Sequence, residues 1–232
     1  MKALARLSAS EIVLLARDPG SLFFMLAFPI MLLVLNSGND SLEILFPSYL
    51  AMILAIGGIA ALPGILASYR ERKVLRRLAI TPVSPVTLLL AQVGAQVLMG
   101  LIGSVLLFTV GLVAFDVDLP AHPLPLALAF VACSLMTCSI GFVIASFAPN
   151  DRAANLIGMV VMFPMIFLSG AAVPPEALNS TLRRIGDWLP LTQGVQALRD
   201  GWFGTPEAFP LLVMAGIIAV CMAIAGALFR WD

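Results

Sequence analysis

The densest group of reactive side chains lies in the stretch Y-R-E-R-K-V-L-R-R-L-A-I-T-P-V-S-P, which begins at Tyr69. Its charged residues are one acid, Glu71, and five bases: Arg70, Arg72, Lys73, Arg76 and Arg77. We expect a short helix over residues 70–80, on which bases four positions apart repel each other by about 0.2–0.5 kcal/mol per pair. An outside group should therefore supply negative charge. Anionic lipid and an acidic groove on a protein partner both fit.

The other reactive side chains form no motif typical of nucleotide binding, metal binding or redox chemistry. No G-x-x-x-x-G-K-[ST] motif is present, so this chain cannot hold ATP in a P-loop. The single histidine, His122, has Asp116 and Asp118 nearby and could touch a metal, but its prolines favour a solvated loop. The three cysteines form no CxxC pair and lie in apolar runs, which favours packing as small apolar groups. We expect neither enzymatic activity nor a metal site in this chain.

The amino-acid composition excludes several classes of protein. The chain has 232 residues, of which 61% are hydrophobic and 11% charged, with 13 basic and 13 acidic side chains. A soluble domain carries roughly 25% charged residues, so a soluble enzyme, a disordered chain and a disulfide scaffold are all excluded. Nothing in this balance points to nucleic acid.

The charges cluster between six uncharged runs, each at least 20 residues long. About 20 apolar residues in a helix cross the hydrocarbon core, and inside lipid the backbone must bond to itself. We therefore predict an all-α integral membrane protein with one domain over residues 1–232. The predicted spans are about 21–37, 46–69, 88–114, 124–147, 154–173 and 208–229.

Two features of these spans exclude further classes of membrane protein and indicate how the chain begins to cross the membrane. No acidic or basic residue lies deep in any span, which counts against a secondary carrier and an intramembrane protease. The apolar centre of the first run, Leu22 to Leu35, has the length of a signal-peptide core. The acids before it and the absence of an A-x-A-like cleavage site favour an uncleaved span.

The basic residues predict the orientation. With both termini on one side, that side holds ten of the 13 bases, so the positive-inside rule makes both termini cytoplasmic. Residues 1–19 have apolar and basic faces, with Arg6 and Arg17 on the basic face and Glu11 within the apolar arc. This pattern is typical of a helix lying in the membrane interface. A simple surface anchor and a coupling role both remain open for it.

The loop between the fifth and sixth spans predicts two short outer helices within residues 175–200. Pro174-Pro175-Glu176 is typical of a helix start, and Leu178, Leu182 and Ile185 then share a face. A second apolar face follows at helical spacing: Leu191, Val195, Leu198 and Trp202. Trp188 and Trp202 are expected to anchor these helices at the interface.

The whole chain resembles the membrane subunit of an ATP-binding-cassette type-2 exporter, of the kind found in daunorubicin-resistance and lipo-oligosaccharide export. Four stretches carry the resemblance: R-E-R-K-V-L-R-R-L-A-I-T-P-V-S-P (70–85), G-F-V-I-A-S-F-A-P-N-D-R-A-A-N (141–155), F-P-M-I-F-L-S-G-A-A-V-P-P-E-A-L (163–178) and W-L-P-L-T-Q-G-V-Q-A-L-R-D-G (188–201). Many members have Gly-Thr-Leu-Glu where this chain has Lys-Val-Leu-Arg at 73–76.

The resemblance implies an N-terminal elbow helix (1–19), a coupling helix (70–80) that docks on a separate ATPase subunit, and an outer re-entrant helix pair (175–200). It also implies two permease copies, or a copy with a related permease, and ATP and Mg²⁺ held by the partner rather than by this chain. Coupling would pass through Glu71, Arg72, Lys73, Arg76 and Arg77. The translocation path would lie along the fifth span: Asn155, Met159, Met162, Phe163 and Phe167.

Several functions stay open at this point. Thioethers and aromatic rings along the fifth span favour lipophilic or amphipathic small molecules as cargo, exported across a plasma membrane. Polysaccharide, glycolipid or haem-like cargo is an alternative, as is a non-transporting assembly or signalling partner. The chain has many more arginines than its two lysines, which favours a bacterial inner membrane.

Overall fold

The computed structural model describes residues 23, 27–36, 42–71, 85–115, 117–174, 178–204 and 206–228, and within these ranges every regular element is a helix. The predicted interfacial helix, with Arg6, Glu11 and Arg17, lies outside the described residues. So do Arg72, Lys73, Arg76 and Arg77 of the predicted coupling helix. Of the first predicted span, the structure describes the helix Phe28–Leu35.

Among the described residues, five helices are long and apolar enough to cross a membrane. The second span runs continuously through three segments, an α-helix (Leu42–Ala55), a π-helical segment (Ile56–Ala61) and a second α-helix (Leu62–Glu71). The remaining four are the third span (Pro85–Phe115), the fourth (Pro123–Phe147), the fifth (Asp151–Leu168) and the sixth (Ala208–Leu228). The chain is therefore a multi-pass membrane protein.

The second span forms the centre of the bundle. Of its most apolar stretch, 89% is buried, against 28% for the fifth span and 11% for the sixth. Glycines of the second and fourth spans allow their backbones to approach closely: a Cβ on Gly58 would lie 2.7 Å from the Thr137 backbone, and one on Gly141 would overlap the Gly58 carbonyl oxygen. Small residues have the same use in other membrane bundles, where close approach supplies the packing energy.

Two short helices join the fifth and sixth spans: the first short helix (Ser180–Asp187) and the second short helix (Pro190–Phe203). The first is capped by Asn179, whose side chain accepts the Leu182 N–H at 2.9 Å. Pro175 and Glu176 of the predicted helix start lie outside the described residues. The second ends at Gly204, whose φ of 99° is the left-handed conformation that glycine tolerates.

The predicted faces of these short helices meet different surroundings. Leu191, Val195 and Leu198 are buried as their spacing predicts. Trp188 is 90% exposed, which fits an interfacial anchor. Trp202 is buried on the same face, but the prediction that it anchors the helix at the interface was wrong. It is 5% exposed, and its ring lies 5.1 Å from that of Phe46 and 5.8 Å from that of Phe108. Glu71 lies at one end of the bundle and Trp188 at the other, and we name the two ends the Glu71 end and the Trp188 end.

Candidate functional site

Arg70 and Glu71, the last residues of the second span, form a polar site at the Glu71 end. The Arg70 guanidinium donates to the carbonyl oxygens of Ala145 (3.2 Å) and Ala148. These carbonyls belong to the last turn of the fourth span, where helix carbonyls lack partners and the helix dipole is negative. Arg70 therefore acts as a side-chain cap for the end of the fourth span.

Glu71 performs the complementary task on the next helix. Its Oε1 accepts the backbone N–H of Asp151 at 2.9 Å, at the first residue of the fifth span. Asn150 caps the same end by accepting the Ala153 N–H at 2.8 Å. Helix N-termini carry unpaired donors and a positive dipole end, so a carboxylate is stabilising there. One cation and one anion, adjacent in sequence, thus hold both sides of the turn at 148–150.

The residues predicted for a translocation path are divided between two environments. Met162 is 3% exposed and lies in the core, and Phe163 is half-buried. Met159 and Phe167 are 40% and 44% exposed, on the side of the fifth span that faces away from the bundle. Asn155 packs against the second span, where a Cβ on Gly64 would lie 2.5 Å from its Cγ. Within one copy of the chain, these five residues do not line a common surface.

The fifth span is pressed against the second along its length. A Cβ on Gly158 would overlap the carbonyl oxygen of Ile59 and lie 3.1 Å from Cα of Ala60. Both contacts are with backbone atoms of the π-helical segment, which cannot turn aside as a flexible side chain can. Glycine at 158 is therefore required for the approach of these two helices.

A partly buried arginine that sequence analysis left unassigned ties the opposite end of the same pair. Arg199, on the second short helix, donates from Nε to Ser48 Oγ at 2.7 Å and from Nη2 to the Gly170 carbonyl oxygen at 3.0 Å. Ser48 lies near the start of the second span and is fully buried, and Gly170 follows the fifth span. In the sequence, Arg199 stood out only as a basic residue on the predicted non-cytoplasmic side, where basic residues are few.

Two buried amides were also missed. Gln92 and Gln96 of the third span are 0% and 3% exposed, and their amide atoms have no hydrogen-bond partner among the described residues. Gln96 lies against the π-helical segment of the second span, because a Cβ on Gly57 would meet its Oε1 at 2.9 Å. The sequence does show two glutamines four residues apart in an otherwise apolar run. It does not show that they pack against the second span, because that depends on how two distant helices pair.

Asp200, next to Arg199 in sequence, sits in an unfavourable place for a charge. Burial raises the pKa of its carboxyl group, and the neighbouring charge of Glu207 raises it further, while a hydrogen bond from the Glu207 backbone lowers it. One of its carboxylate oxygens, Oδ2, is buried and has no hydrogen-bond partner in the described part of the chain. Among residues with described positions, no three His, Cys, Asp or Glu side chains are grouped so that they could hold a metal ion.

Comparison with known proteins covers most of the chain. The sequence profile of a family described as "ABC-2 type transporter" matches residues 3–203. Nodulation protein J of Rhizobium leguminosarum bv. viciae is 32% identical over 99 residues, which are 41% of this chain and 38% of that protein. Nodulation protein J of Neorhizobium galegae is 33% identical over 72 residues, 31% of this chain and 28% of that protein. The aligned stretch thus spans less than half of each relative.

Proposed function

Because the chain belongs to the ABC-2 type transporter family, we propose that it is the permease subunit of an ATP-driven exporter that works with a separate ATPase subunit. The Glu71 end is the cytoplasmic end in this proposal, and both termini are cytoplasmic, in the inner membrane of a bacterium. The chain itself carries out no hydrolysis. ATP and Mg²⁺ are held by the partner.

The observation that carries the proposal is the Arg70–Glu71 junction. The last turn of the central span is bonded to the fourth span through Ala145 and Ala148 and to the fifth through Asp151. The basic segment 72–77 follows this junction directly. A protein that pushes on that segment would therefore act on three spans together. This is the arrangement that a coupling helix needs, with Arg72, Lys73, Arg76 and Arg77 as the contacts with the ATPase.

The cargo path is proposed to lie between two permease copies. The faces of the fifth and sixth spans that point away from the bundle are apolar and exposed in one copy, and Met159 and Phe167 lie on the fifth. A second copy facing the fifth span would bring these side chains to a shared cavity with those of its own chain. Such a surface suits lipophilic or amphipathic cargo. Glycolipid or polysaccharide is the alternative cargo class.

The partner is tested first, by pull-down. The tagged chain is purified from its native membrane in mild detergent, and the ATPase activity of the eluate is measured. We expect a stoichiometric P-loop subunit and ATP hydrolysis. Elution of the chain alone from several detergents, without ATPase activity, would contradict the proposal and leave residues 70–80 as a basic membrane loop.

The contact surface is tested with charge reversals. Arg72→Glu combined with Arg76→Glu should release the ATPase while the permease stays in the membrane, because an acidic groove would then face acidic side chains. Arg183→Glu, on the first short helix at the Trp188 end, is the matched control and should retain the ATPase. The cargo class is tested by stimulation of hydrolysis, with daunorubicin as an amphipathic probe and a lipid-linked oligosaccharide as a sugar-bearing one.

A further inference from the structure

We propose that the second and fifth spans move as one rigid body, and that Glu71 is a positioning residue joining them rather than a contact with the ATPase. The inference rests on the proposed function, because it concerns how a push on residues 72–80 travels into the membrane. It also gives Glu71 a different role from the one that its place at the start of the coupling segment predicts, which is a contact with the ATPase. Three separate sets of contacts support it.

The first set closes the Glu71 end. The Glu71 carboxylate holds the first amide of the fifth span, and the Arg70 guanidinium holds the carbonyl oxygen of Ala148, the residue that ends the fourth span. Hydrogen bonds with a charged partner are roughly twice as strong as neutral ones. Only residues 149 and 150 separate these two anchor points, so the turn is fastened on both sides. Displacement of the last turn of the second span therefore displaces Asp151.

The second set lies in the middle of the pair. Gly158 faces the backbone of Ile59 and Ala60, and Gly64 faces the side chain of Asn155. These two contacts lie on successive turns of the fifth span, within the same helix pair. Close-packed interfaces have discrete arrangements and do not deform continuously. Sliding one helix along the other would drive side chains into the space that the glycines leave open, so we expect no sliding during a cycle.

The third set closes the Trp188 end. Arg199 bonds Ser48 of the second span and the Gly170 carbonyl oxygen, two residues beyond the fifth span. The guanidinium is a rigid planar fork, which fixes the relative position of its two partners better than a flexible amine could. The pair is thus tied at both ends, and movement at the Glu71 end is carried to the second short helix, where Arg199 resides.

Glutamine at position 71 separates the two roles. Glu71→Gln keeps a side-chain oxygen that can accept the Asp151 N–H but loses the charge that an ATPase contact would need. Glu71→Ala loses both the accepting oxygen and the charge. The complex with its ATPase is reconstituted in lipid nanodiscs, and hydrogen–deuterium exchange is followed in peptides covering residues 72–80 and 148–155, with and without Mg-ATP.

In the wild-type complex, we expect Mg-ATP to change exchange in both peptides. Glu71→Gln should keep both responses. Glu71→Ala should keep the response of 72–80 and ATP hydrolysis, weaken the response of 148–155, and raise exchange at the Asp151 amide about tenfold without nucleotide. Arg152→Ala, an exposed neighbour in the first turn of the fifth span, is the matched control and should behave as wild type.

Two results would overturn the inference. Equal loss of ATPase binding in Glu71→Gln and Glu71→Ala would show that the charge of Glu71 contacts the partner. A wild-type response confined to 72–80 would show that the push does not reach the fifth span. Failure of the wild-type chain to bind any ATPase is a different outcome, since it would refute the proposed function itself.

A disulfide tests the rigid body without relying on Glu71. A Cβ on Gly64 would lie 2.5 Å from Asn155 Cγ, which brings the two Cβ atoms within the ~4 Å that a disulfide spans. The oxidised Gly64→Cys, Asn155→Cys complex should hydrolyse ATP as fast as the reduced one. Loss of hydrolysis on oxidation, restored by dithiothreitol, would mean that the helices must slide. The two single-cysteine variants control for bonds to the native cysteines.

Discussion

Glu71 and Asp151 lie 80 positions apart in the chain, yet the carboxylate of the first accepts the backbone N–H of the second at 2.9 Å. The bond joins the end of one membrane helix to the beginning of another. Arg70, the neighbour of Glu71, holds the end of the fourth span, which directly precedes Asp151 in the chain. The acidic residue at the start of the predicted coupling segment is therefore engaged within its own chain, and this changes what its substitution should do.

The close approach of the second and fifth spans predicts a strong effect at Gly158. Gly158→Ala places a methyl group against the Ile59 carbonyl oxygen, which can yield only if the two backbones separate. We expect a loss of about 1–3 kcal/mol in stability, as for overpacked cores, measured as thermal unfolding in detergent. Gly216→Ala is the control, because its Cβ would meet no atom within 4 Å. Equal effects of the two substitutions would contradict the packing described here.

The buried aromatic cluster predicts opposite outcomes for two tryptophans. Trp202→Ala removes a ring that packs on Phe46 and Phe108, so it should lower the free energy of unfolding by about 3–5 kcal/mol. Trp188→Ala removes a side chain that is 90% exposed and should change stability little. Thermal denaturation followed by size-exclusion fluorescence compares the two. A larger effect at Trp188 would mean that the second short helix is seated differently.

The unpartnered amide of Gln92 predicts a stabilising substitution. Burying an amide without a hydrogen bond costs about 1–3 kcal/mol by mutational measurements, and leucine fills a similar volume without that cost. Gln92→Leu should therefore raise the melting temperature of the purified chain, whereas Gln92→Ala should lower it by leaving a cavity. A fall in melting temperature for Gln92→Leu would show that the amide forms a bond that matters for stability.

The raised pKa of Asp200 predicts a pH-dependent stability. A carboxyl group whose pKa is higher in the folded than in the unfolded chain contributes stability below its ordinary value of 3.8, and this contribution is lost as the pH rises through the folded value. Asp200→Asn removes the charge. Its melting temperature should therefore exceed that of the wild type by more at pH 7 than at pH 4.

Glu207→Gln provides the check on that assignment. Glu207 contributes to the raised pKa through its charge, so its neutralisation should lower the pKa of Asp200 and recover part of the same gain at pH 7. A wild-type difference from Asp200→Asn that does not vary with pH would contradict the raised pKa. Melting curves across pH 4–8 in one detergent provide the comparison.

Much of the fold was predictable from the sequence because lipid leaves few choices. Uncharged runs of membrane length must be helical, so the five described spans lie where the runs predict them. The buried face of the second short helix also followed from its helical spacing, and all four of its predicted members are buried. Family membership was predictable from four stretches of sequence spread over the chain, and the family profile matches residues 3–203.

The tertiary structure decided which side chains meet. Local pattern placed Trp202 at the membrane interface, but its ring packs on Phe46 inside the bundle. Likewise, the partners of Arg70, Glu71 and Arg199 lie 29 to 151 positions away along the chain. Periodicity reports only which face of a helix is apolar, because it samples neighbours within a turn or two. Which helix covers that face, and which terminus receives a charge, depends on packing between distant segments.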